Sequence, residues 1–125
     1  AIFAGKLLNR ELCTIYGTGM QTRDFVFVDD VASAFVASIE SGDGKLLNIG
    51  TGTETSIQYL YEEMALASGI ESAPEKGAER SGEIERSALD PSLAEEILGW
   101  SPQTSLRDGI HSTLEWFKSK KEETS

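Results

Sequence analysis

The chain has 125 residues, a formal net charge of -10 and an isoelectric point near 4.5. Because phosphate backbones attract basic surfaces, this acidic balance argues against nucleic acid as a partner. Cys13 is the single cysteine, which excludes an internal disulfide and fits a reducing cytoplasm. No apolar run approaches the roughly 18 residues that a membrane span needs, so no membrane partner is expected. A hydrophobic fraction of 39% is enough for one modest core, and we expect a single domain over residues 1–125.

The first half of the chain alternates between helical and strand-like patterns. It predicts, in order, the end of a helix (2–9), a strand (12–16), a second β-rich run (25–28), a helix to about residue 41 and a buried strand (46–49). Asp29 and Asp30 are expected to act as an N-cap and a negative first turn for the middle helix. The turn 41–44, rich in glycine, ends this helix.

The second half of the chain predicts more helix. Thr55 or Ser56 caps a helix that Gly69 ends. The polar stretch 71–79 contains proline and glycine and predicts a mobile loop, which extends to residue 82, and 83–88 predicts an edge strand. A short helix from Pro91, capped by Asp90, ends before Gly99, and a last helix begins after Ser105. The charged tail from residue 118 is expected to fray.

Several sequence patterns follow one another in an order that is typical of one enzyme family. They are IYGTGMQTRDFVFVDDV (15–31), LNIGTGTETSI (47–57) and ERSGEIERSALDPSLAEEILGWSPQTSLRDGI (79–110). Together they resemble the C-terminal part of NAD-dependent epimerases and dehydratases, the extended short-chain dehydrogenase/reductase family. They are most like nucleotide-sugar epimerases of the UDP-glucose 4-epimerase type. The resemblance implies an α/β fold with short strands and about four to five helices, namely the substrate-binding portion of such an enzyme.

The same resemblance shows what this chain lacks. The sequence contains no Tyr-x-x-x-Lys pair and no glycine-rich dinucleotide fingerprint behind a first strand. In the family, an N-terminal Rossmann domain carries NAD and the catalytic pair. We therefore expect a fragment that is catalytically incomplete, binds no cofactor by itself, and has the missing Rossmann half as its partner, with NAD in the parent enzyme.

Three positions match ligand contacts of the family, and a fourth site position, Glu83, departs from its pattern. Arg23 and Arg80 correspond to two arginines on the nucleotide diphosphate, a role that suits the fork of guanidinium donors. Tyr16 corresponds to an aromatic position beside the nucleobase. Glu83 stands where the family usually has an aspartate facing the ribose, and Ser81 replaces the usual proline. We expect Arg23 and Arg80 to lie on one side of the fold and to form its main anion site.

Several of these residues also have plainer interpretations. Arg23 beside Asp24 is compatible with a surface ion pair, and Tyr16 at a strand end with a core position. Capping explains the two aspartates at 29 and 30 better than metal binding or acid–base chemistry does. His111 is expected at the surface, and Cys13 is expected to be buried and inert. The Gly-x-Gly turn at 50–52 lacks the third glycine of a nucleotide-binding loop.

Three functions stay open at this point. The first is the UDP-sugar-binding part of an NAD-dependent nucleotide-sugar epimerase, in which the nucleotide contacts position the sugar for chemistry. The second is the same portion of a nucleotide-sugar dehydratase, decarboxylase or reductase. The third is a stand-alone, non-catalytic binding or interaction domain. The isolated chain is expected to turn over no nucleotide sugar.

Overall fold

The structure, a computed structural model, describes residues 1–125. It contains five helices: α1 (Ile2–Leu8), α2 (Val28–Ala37), α3 (Ile57–Ser68), α4 (Ser92–Leu98) and α5 (Leu106–Thr124). Its four strands are β1 (Thr14–Tyr16), β2 (Thr22–Arg23), β3 (Thr55–Ser56) and β4 (Glu75–Gly77), of which β1 pairs with β4 and β2 with β3. The expected α/β class with short strands and four to five helices is confirmed.

The chain divides into two units. Unit 1 comprises Ala1–Gln21, Ser56–Glu85 and Arg107–Ser125, and unit 2 comprises Thr22–Thr55 and Arg86–Leu106. The functional assignment of residues 1–125 as one substrate-binding portion stays a prediction.

Unit 1 is built around the parallel pair of β1 and β4. Thr14 lies opposite Glu75 and Tyr16 lies opposite Gly77. The amide of Glu75 donates to the carbonyl oxygen of Cys13 at 2.7 Å, and the amide of Gly17 donates to that of Gly77 at 3.1 Å. The buried side chains of this unit come from β1, the residue before it and helices α1, α3 and α5: Ala4, Leu7, Cys13, Ile15, Leu60, Tyr61, Met64, Ile110 and Leu114.

Helix α3 begins and ends where its local chemistry requires. The Ser56 hydroxyl accepts from the amide of Tyr59 at 3.1 Å, and Gly69 takes the left-handed conformation (φ 71°) that ends the helix. The first turn of the helix is also tied to the preceding glycine turn. The amide of Gln58 donates to the carbonyl oxygen of Gly19 at 2.9 Å, and that of Ile57 donates to Gln21 at 3.1 Å. The predicted cap and terminator are confirmed.

Unit 2 has a small core centred on Trp100. Ala34, Ala94 and Trp100 are buried together, and Val26, Leu47, Ile49 and Leu98 pack against them. The indole Nε1 of Trp100 donates to the backbone oxygen of Asp30 at 2.8 Å. The Asp30 carboxylate, only 4% exposed, accepts from the amides of Gln103 at 3.1 Å and Thr104 at 3.0 Å. The N-cap position of α2 is Phe27, so the predicted N-cap role is wrong, whereas the predicted negative first turn, formed by Asp29 and Asp30, is confirmed. Asp30 also fixes the turn after Trp100.

Three predicted strands do not form. Residues 25–27 are irregular and Val28 already begins α2, while 46–49 and 83–88 belong to neither sheet. The side-chain pattern at 46–49 is correct in one respect, since Leu46 is 93% exposed while Leu47 and Ile49 pack on the unit 2 core. A strand also needs a hydrogen-bonded neighbour, and none lies beside this segment.

Some regular structure is not evident from the sequence. Strand β4 lies inside the predicted loop 71–79, because backbone pairing with β1 does not depend on the polarity of its side chains. The sequence pattern does not predict the two-residue strands β2 and β3. Helix α5 continues to Thr124, so the expected fraying from residue 118 is not seen.

Candidate ligand site

A cavity of about 440 Å³ in unit 1 contains three of the four residues that the resemblance selects. Tyr16, Arg80 and Glu83 all line it, although Tyr16 is more than sixty positions from the other two along the chain. Helices α1 and α3 supply most of the apolar wall, and two polar side chains, those of Thr14 and Gln21, complete the polar side. The full lining comprises Ala1, Ile2, Phe3, Thr14, Tyr16, Gln21, Ile57, Leu60, Met64, Arg80 and Glu83.

The two residues that dominate the polar side of this cavity are stacked. The guanidinium carbon of Arg80 lies 3.8 Å from the centre of the Tyr16 ring, well within the range of a cation–π interaction. Tyr16 is 38% exposed and Arg80 is exposed. The N–H donors of a guanidinium lie in the plane of the group, so stacking against the ring does not cover them and they can still bind a ligand.

A tight turn carries Arg80 and Glu83. The amide of Glu83 donates to the carbonyl oxygen of Arg80 at 3.4 Å, and Gly82 has a φ of 77°. A positive φ at the third residue is the requirement of a type II turn, in which proline is common at the second residue but not obligatory. The turn therefore forms with Ser81 in place of the usual proline. The side chains of Arg80 and Glu83 both reach the cavity.

Arg23 lies in β2 of unit 2 and is half-buried. Its Nη1 donates to the carbonyl oxygen of Thr22 at 2.6 Å. Arg80 belongs to unit 1, and the convergence of the two arginines on one anion stays a prediction.

Thr22, the residue before Arg23, belongs to a network of hydrogen-bonded polar and charged side chains in unit 2. The Thr22 hydroxyl donates to Glu54 at 2.6 Å, and Arg86 makes two bonds to the same carboxylate, from Nε at 2.9 Å and Nη2 at 2.6 Å. The hydrogen bonds from Arg86 and then from Thr22 lower the pKa of Glu54 to about 2. The network holds residues 86 and 87 against the start of β2, since the amide of Ser87 also donates to the Thr22 hydroxyl at 3.4 Å.

One residue that lines the cavity, Gln21, and one that lies behind it, Gly77, are not among the four site residues predicted from the sequence. The Gln21 side chain lines the cavity and donates from Nε2 to the backbone oxygen of Tyr16 at 2.9 Å. Gly77 lies opposite Tyr16 across the β1–β4 pair. Gln21 lies within the pattern 15–31, and its polar amide side chain is the feature from which a site role could have been predicted. Gly77 lies in a polar segment whose composition predicts only a loop.

The remaining candidates take no part in this cavity. His111 is exposed on α5, one turn from Arg107, whose Nε lies 3.9 Å from the Glu63 carboxylate. Cys13 is buried, as predicted, and burial raises the pKa of its thiol, an effect that Lys6 opposes and Glu11 reinforces. No group of three or more histidine, cysteine, aspartate or glutamate side chains is arranged to hold a metal ion. None of the five helices combines the length and the apolar character that crossing a membrane requires.

Comparison with known proteins identifies the family. Residues 2–113 match the family described as GDP-mannose 4,6 dehydratase. The chain belongs to this family. Over 121 residues it is 46% identical to a UDP-glucose 4-epimerase of Mycolicibacterium smegmatis, a match that covers 96% of this chain and 39% of that protein. The resemblance to NAD-dependent epimerases and dehydratases is confirmed.

Solved structures give the same result. A UDP-glucose 4-epimerase from Thermotoga maritima, crystallised with UDP-glucose, matches 95% of this chain with a TM-score of 0.93 and 37% identity. A UDP-glucuronic acid 4-epimerase from Bacillus cereus, in complex with NAD, matches 94% of it with a TM-score of 0.81 and 28% identity. This chain spans 38% of each of those two chains, so it corresponds to a minor part of these relatives.

Proposed function

We propose that this chain is the UDP-sugar-binding portion of an NAD-dependent nucleotide-sugar epimerase. The observation that carries the proposal is the meeting of Tyr16, Arg80 and Glu83 in one cavity of unit 1. The sequence patterns point to the same three residues independently of where the fold places them. The similarity to UDP-glucose and UDP-glucuronic acid 4-epimerases supports a uridine nucleotide as the ligand.

The chemistry of the cavity suits a nucleoside diphosphate. Arg80 supplies a planar fork of donors for phosphate oxygens, and a local cation is needed because the chain as a whole carries a net charge of -10. Glu83 offers carboxylate oxygens that accept from ribose hydroxyls. A volume of about 440 Å³, with a largely apolar wall, falls within the usual range for small-ligand sites. Arg23 belongs to the proposal as the second diphosphate contact that the resemblance implies.

Within the parent enzyme this portion would position the substrate. Remote contacts to the nucleotide supply binding free energy that chemistry at the sugar can use. NAD and the proton-transferring tyrosine and lysine belong, in this proposal, to an N-terminal Rossmann half. The same proposal places the enzyme in the cytoplasm, where a single unpaired thiol is kept reduced.

An exposed face of α2 supports the Rossmann half as a partner. Val28, Phe35, Val36 and Ile39 follow one side of this helix and the turn after it, and they are 68%, 71%, 68% and 76% exposed. Monomeric proteins rarely leave such an apolar stripe in contact with water, so it is typical of a covered surface. The relatives carry more than half of their length outside the part that matches this chain. We therefore assign the stripe to contact with that part.

One alternative is favoured by a specific observation. The matching family is described by a dehydratase, GDP-mannose 4,6 dehydratase, so the parent reaction is open between epimerisation and dehydration. The nucleotide contacts proposed here are common to both, because the reactions differ at the sugar.

The proposal is tested by titrating UDP-glucose into the ¹⁵N-labelled 125-residue chain and following its amide resonances. We expect shifts at Tyr16 and at the turn 80–83. Arg80→Ala should weaken binding by about 1.5–3 kcal/mol, the range for hydrogen bonds to charged groups. Arg107→Ala is the matched control, since Arg107 is also an exposed arginine of unit 1 but lies outside the cavity. Equal losses in both variants, or no shifts at all, would exclude a ligand site here.

A further inference from the structure

We propose that Tyr16 is a positioning residue that acts on the ligand through Arg80, and that Gly77 provides the space this requires. The inference rests on the proposed function, in which Arg80 binds the diphosphate. It changes the role of Tyr16 from a direct contact of the nucleobase to a platform for the guanidinium.

Arg80 is an exposed side chain on a turn, and an arginine in that setting loses rotamer freedom when a ligand fixes it. Its guanidinium carbon already lies 3.8 Å from the centre of the Tyr16 ring. Stacking on the ring restricts the guanidinium before the anion arrives, so less freedom is lost on binding.

The position of the Tyr16 ring depends on the absence of a side chain at Gly77. Tyr16 ends β1 opposite Gly77, and a Cβ atom on Gly77 would lie 2.6 Å from Cδ1 and 2.9 Å from Cε1 of the ring. Real Cβ atoms essentially never approach so closely, so any side chain at 77 displaces the ring. Gly77 does not have a positive φ, which leaves the absence of a side chain as the reason for glycine here. Gln21 adds a bond to the Tyr16 backbone at 2.9 Å.

The geometry of the stack distinguishes this role from a contact with the base. The guanidinium covers a face of the Tyr16 ring, and the stack depends on the ring face and not on the phenolic hydroxyl. Phenylalanine at position 16 should therefore preserve the stack, and an aliphatic side chain should abolish it.

The experiment measures binding of inorganic pyrophosphate, uridine and UDP to the 125-residue chain by amide chemical shifts. Tyr16→Leu should weaken pyrophosphate binding about two- to five-fold, the effect of an exposed cation–π contact, and leave uridine binding unchanged. Tyr16→Phe should retain pyrophosphate binding. In an Arg80→Ala background, Tyr16→Leu should have no further effect on pyrophosphate, because the group it positions is gone.

Gly77→Ala provides an independent test of the platform. It should weaken pyrophosphate binding as Tyr16→Leu does, and the amide spectrum confirms that the variant is folded. If Gly77→Ala does not fold, the Tyr16 series alone decides.

The outcomes separate the two proposals. Loss of uridine binding in Tyr16→Leu, or additive effects in the double variant, would overturn the positioning role while leaving the proposed function intact. If the unmodified chain binds neither UDP nor pyrophosphate, both proposals are overturned.

Discussion

The Asp24 carboxylate accepts hydrogen bonds from both the hydroxyl and the backbone amide of Thr51, at 2.5 Å and 3.0 Å. It also accepts from the amides of Gly52 at 3.0 Å and Leu89 at 3.2 Å. Burial raises the pKa of Asp24, but these hydrogen bonds outweigh it and hold the pKa below its ordinary value. Within unit 2, this one carboxylate joins the residue after β2, the Gly-x-Gly turn and the segment before α4.

Removing this carboxylate should therefore destabilise unit 2. Asp24→Ala leaves the amides at 51, 52 and 89 without their acceptor, and we expect a loss of about 1.5–3 kcal/mol in the free energy of unfolding. Urea denaturation measures it. Asp43→Ala is the control, because Asp43 is exposed in the turn after α2 and should change the stability by less than about 0.5 kcal/mol. Similar stability of the two variants would contradict the assigned role of Asp24.

The pH dependence of stability follows from the lowered carboxylate pKa values in unit 2. Glu54 has a folded pKa of about 2 and Asp24 a lowered one, so both hold more protons in the unfolded state at mildly acidic pH. Each contribution is present above the unfolded pKa near 4 and is lost as the pH falls through the folded pKa, which is about 2 for Glu54.

A variant isolates the part due to Glu54. The difference in unfolding free energy between the unmodified chain and Glu54→Gln should be largest above about pH 5 and should shrink toward pH 2. Arg86→Gln removes the main cause of the lowered pKa and should flatten the same acid-dependent difference. Urea titrations at several pH values measure both. A Glu54→Gln difference that is constant from pH 6 to pH 2 would show that this pKa is not lowered in the folded chain.

Both ends of α3 and the C-terminal end of α4 are predictable because they depend on adjacent residues, whereas the N-cap predicted for α2 is wrong. Ser56 and Gly69 bound α3 through one hydroxyl and one left-handed backbone, and Gly99 ends α4 in the same way with a φ of 64°. Most of the strands are not predictable, because pairing depends on a distant partner. The apolar run 46–49 has no strand neighbour, whereas the polar Glu75–Gly77 has β1.

The residues of the candidate site also differ in whether the sequence alone predicts them. Resemblance selects Tyr16, Arg80 and Glu83, which line one cavity. The role of Gly77 follows only from its pairing with Tyr16 across the β1–β4 pair, which no local sequence pattern encodes. The acceptor role of the Asp30 carboxylate is not predictable for the same reason, since the amides from which it accepts lie more than seventy residues away.

The assignment of α2 predicts opposite outcomes for two neighbouring substitutions. Phe35 is 71% exposed, so Phe35→Glu should change the free energy of unfolding by less than about 0.5 kcal/mol and should reduce self-association at high concentration. Ala34 is 4% exposed and packs with Trp100 and Ala94. Ala34→Glu places an unpaired charge in that core and should lower the stability by about 3–5 kcal/mol, or prevent folding. Urea denaturation and light scattering distinguish the two variants. A large loss of stability in Phe35→Glu would mean that the stripe is already covered in the isolated chain.

Two glycines provide a last comparison, in which the same added methyl group should have opposite effects. A Cβ atom on Gly50 would lie 2.7 Å from Oδ2 of Asp24 and 2.9 Å from Cβ of Leu89, so Gly50→Ala must displace the carboxylate or the segment that it holds. We expect a loss of about 1–3 kcal/mol, as for other overpacked sites. A Cβ atom on Gly5, inside α1, would meet only Cε1 of Phe117 at 3.8 Å, an ordinary contact. Gly5→Ala should stabilise the chain by about 0.5–1 kcal/mol, because alanine loses less conformational freedom in a helix. Thermal and urea denaturation of both variants measure the direction of each change in stability. An unchanged or raised stability of Gly50→Ala would show that a methyl group fits beside Asp24 and Leu89 without displacing them.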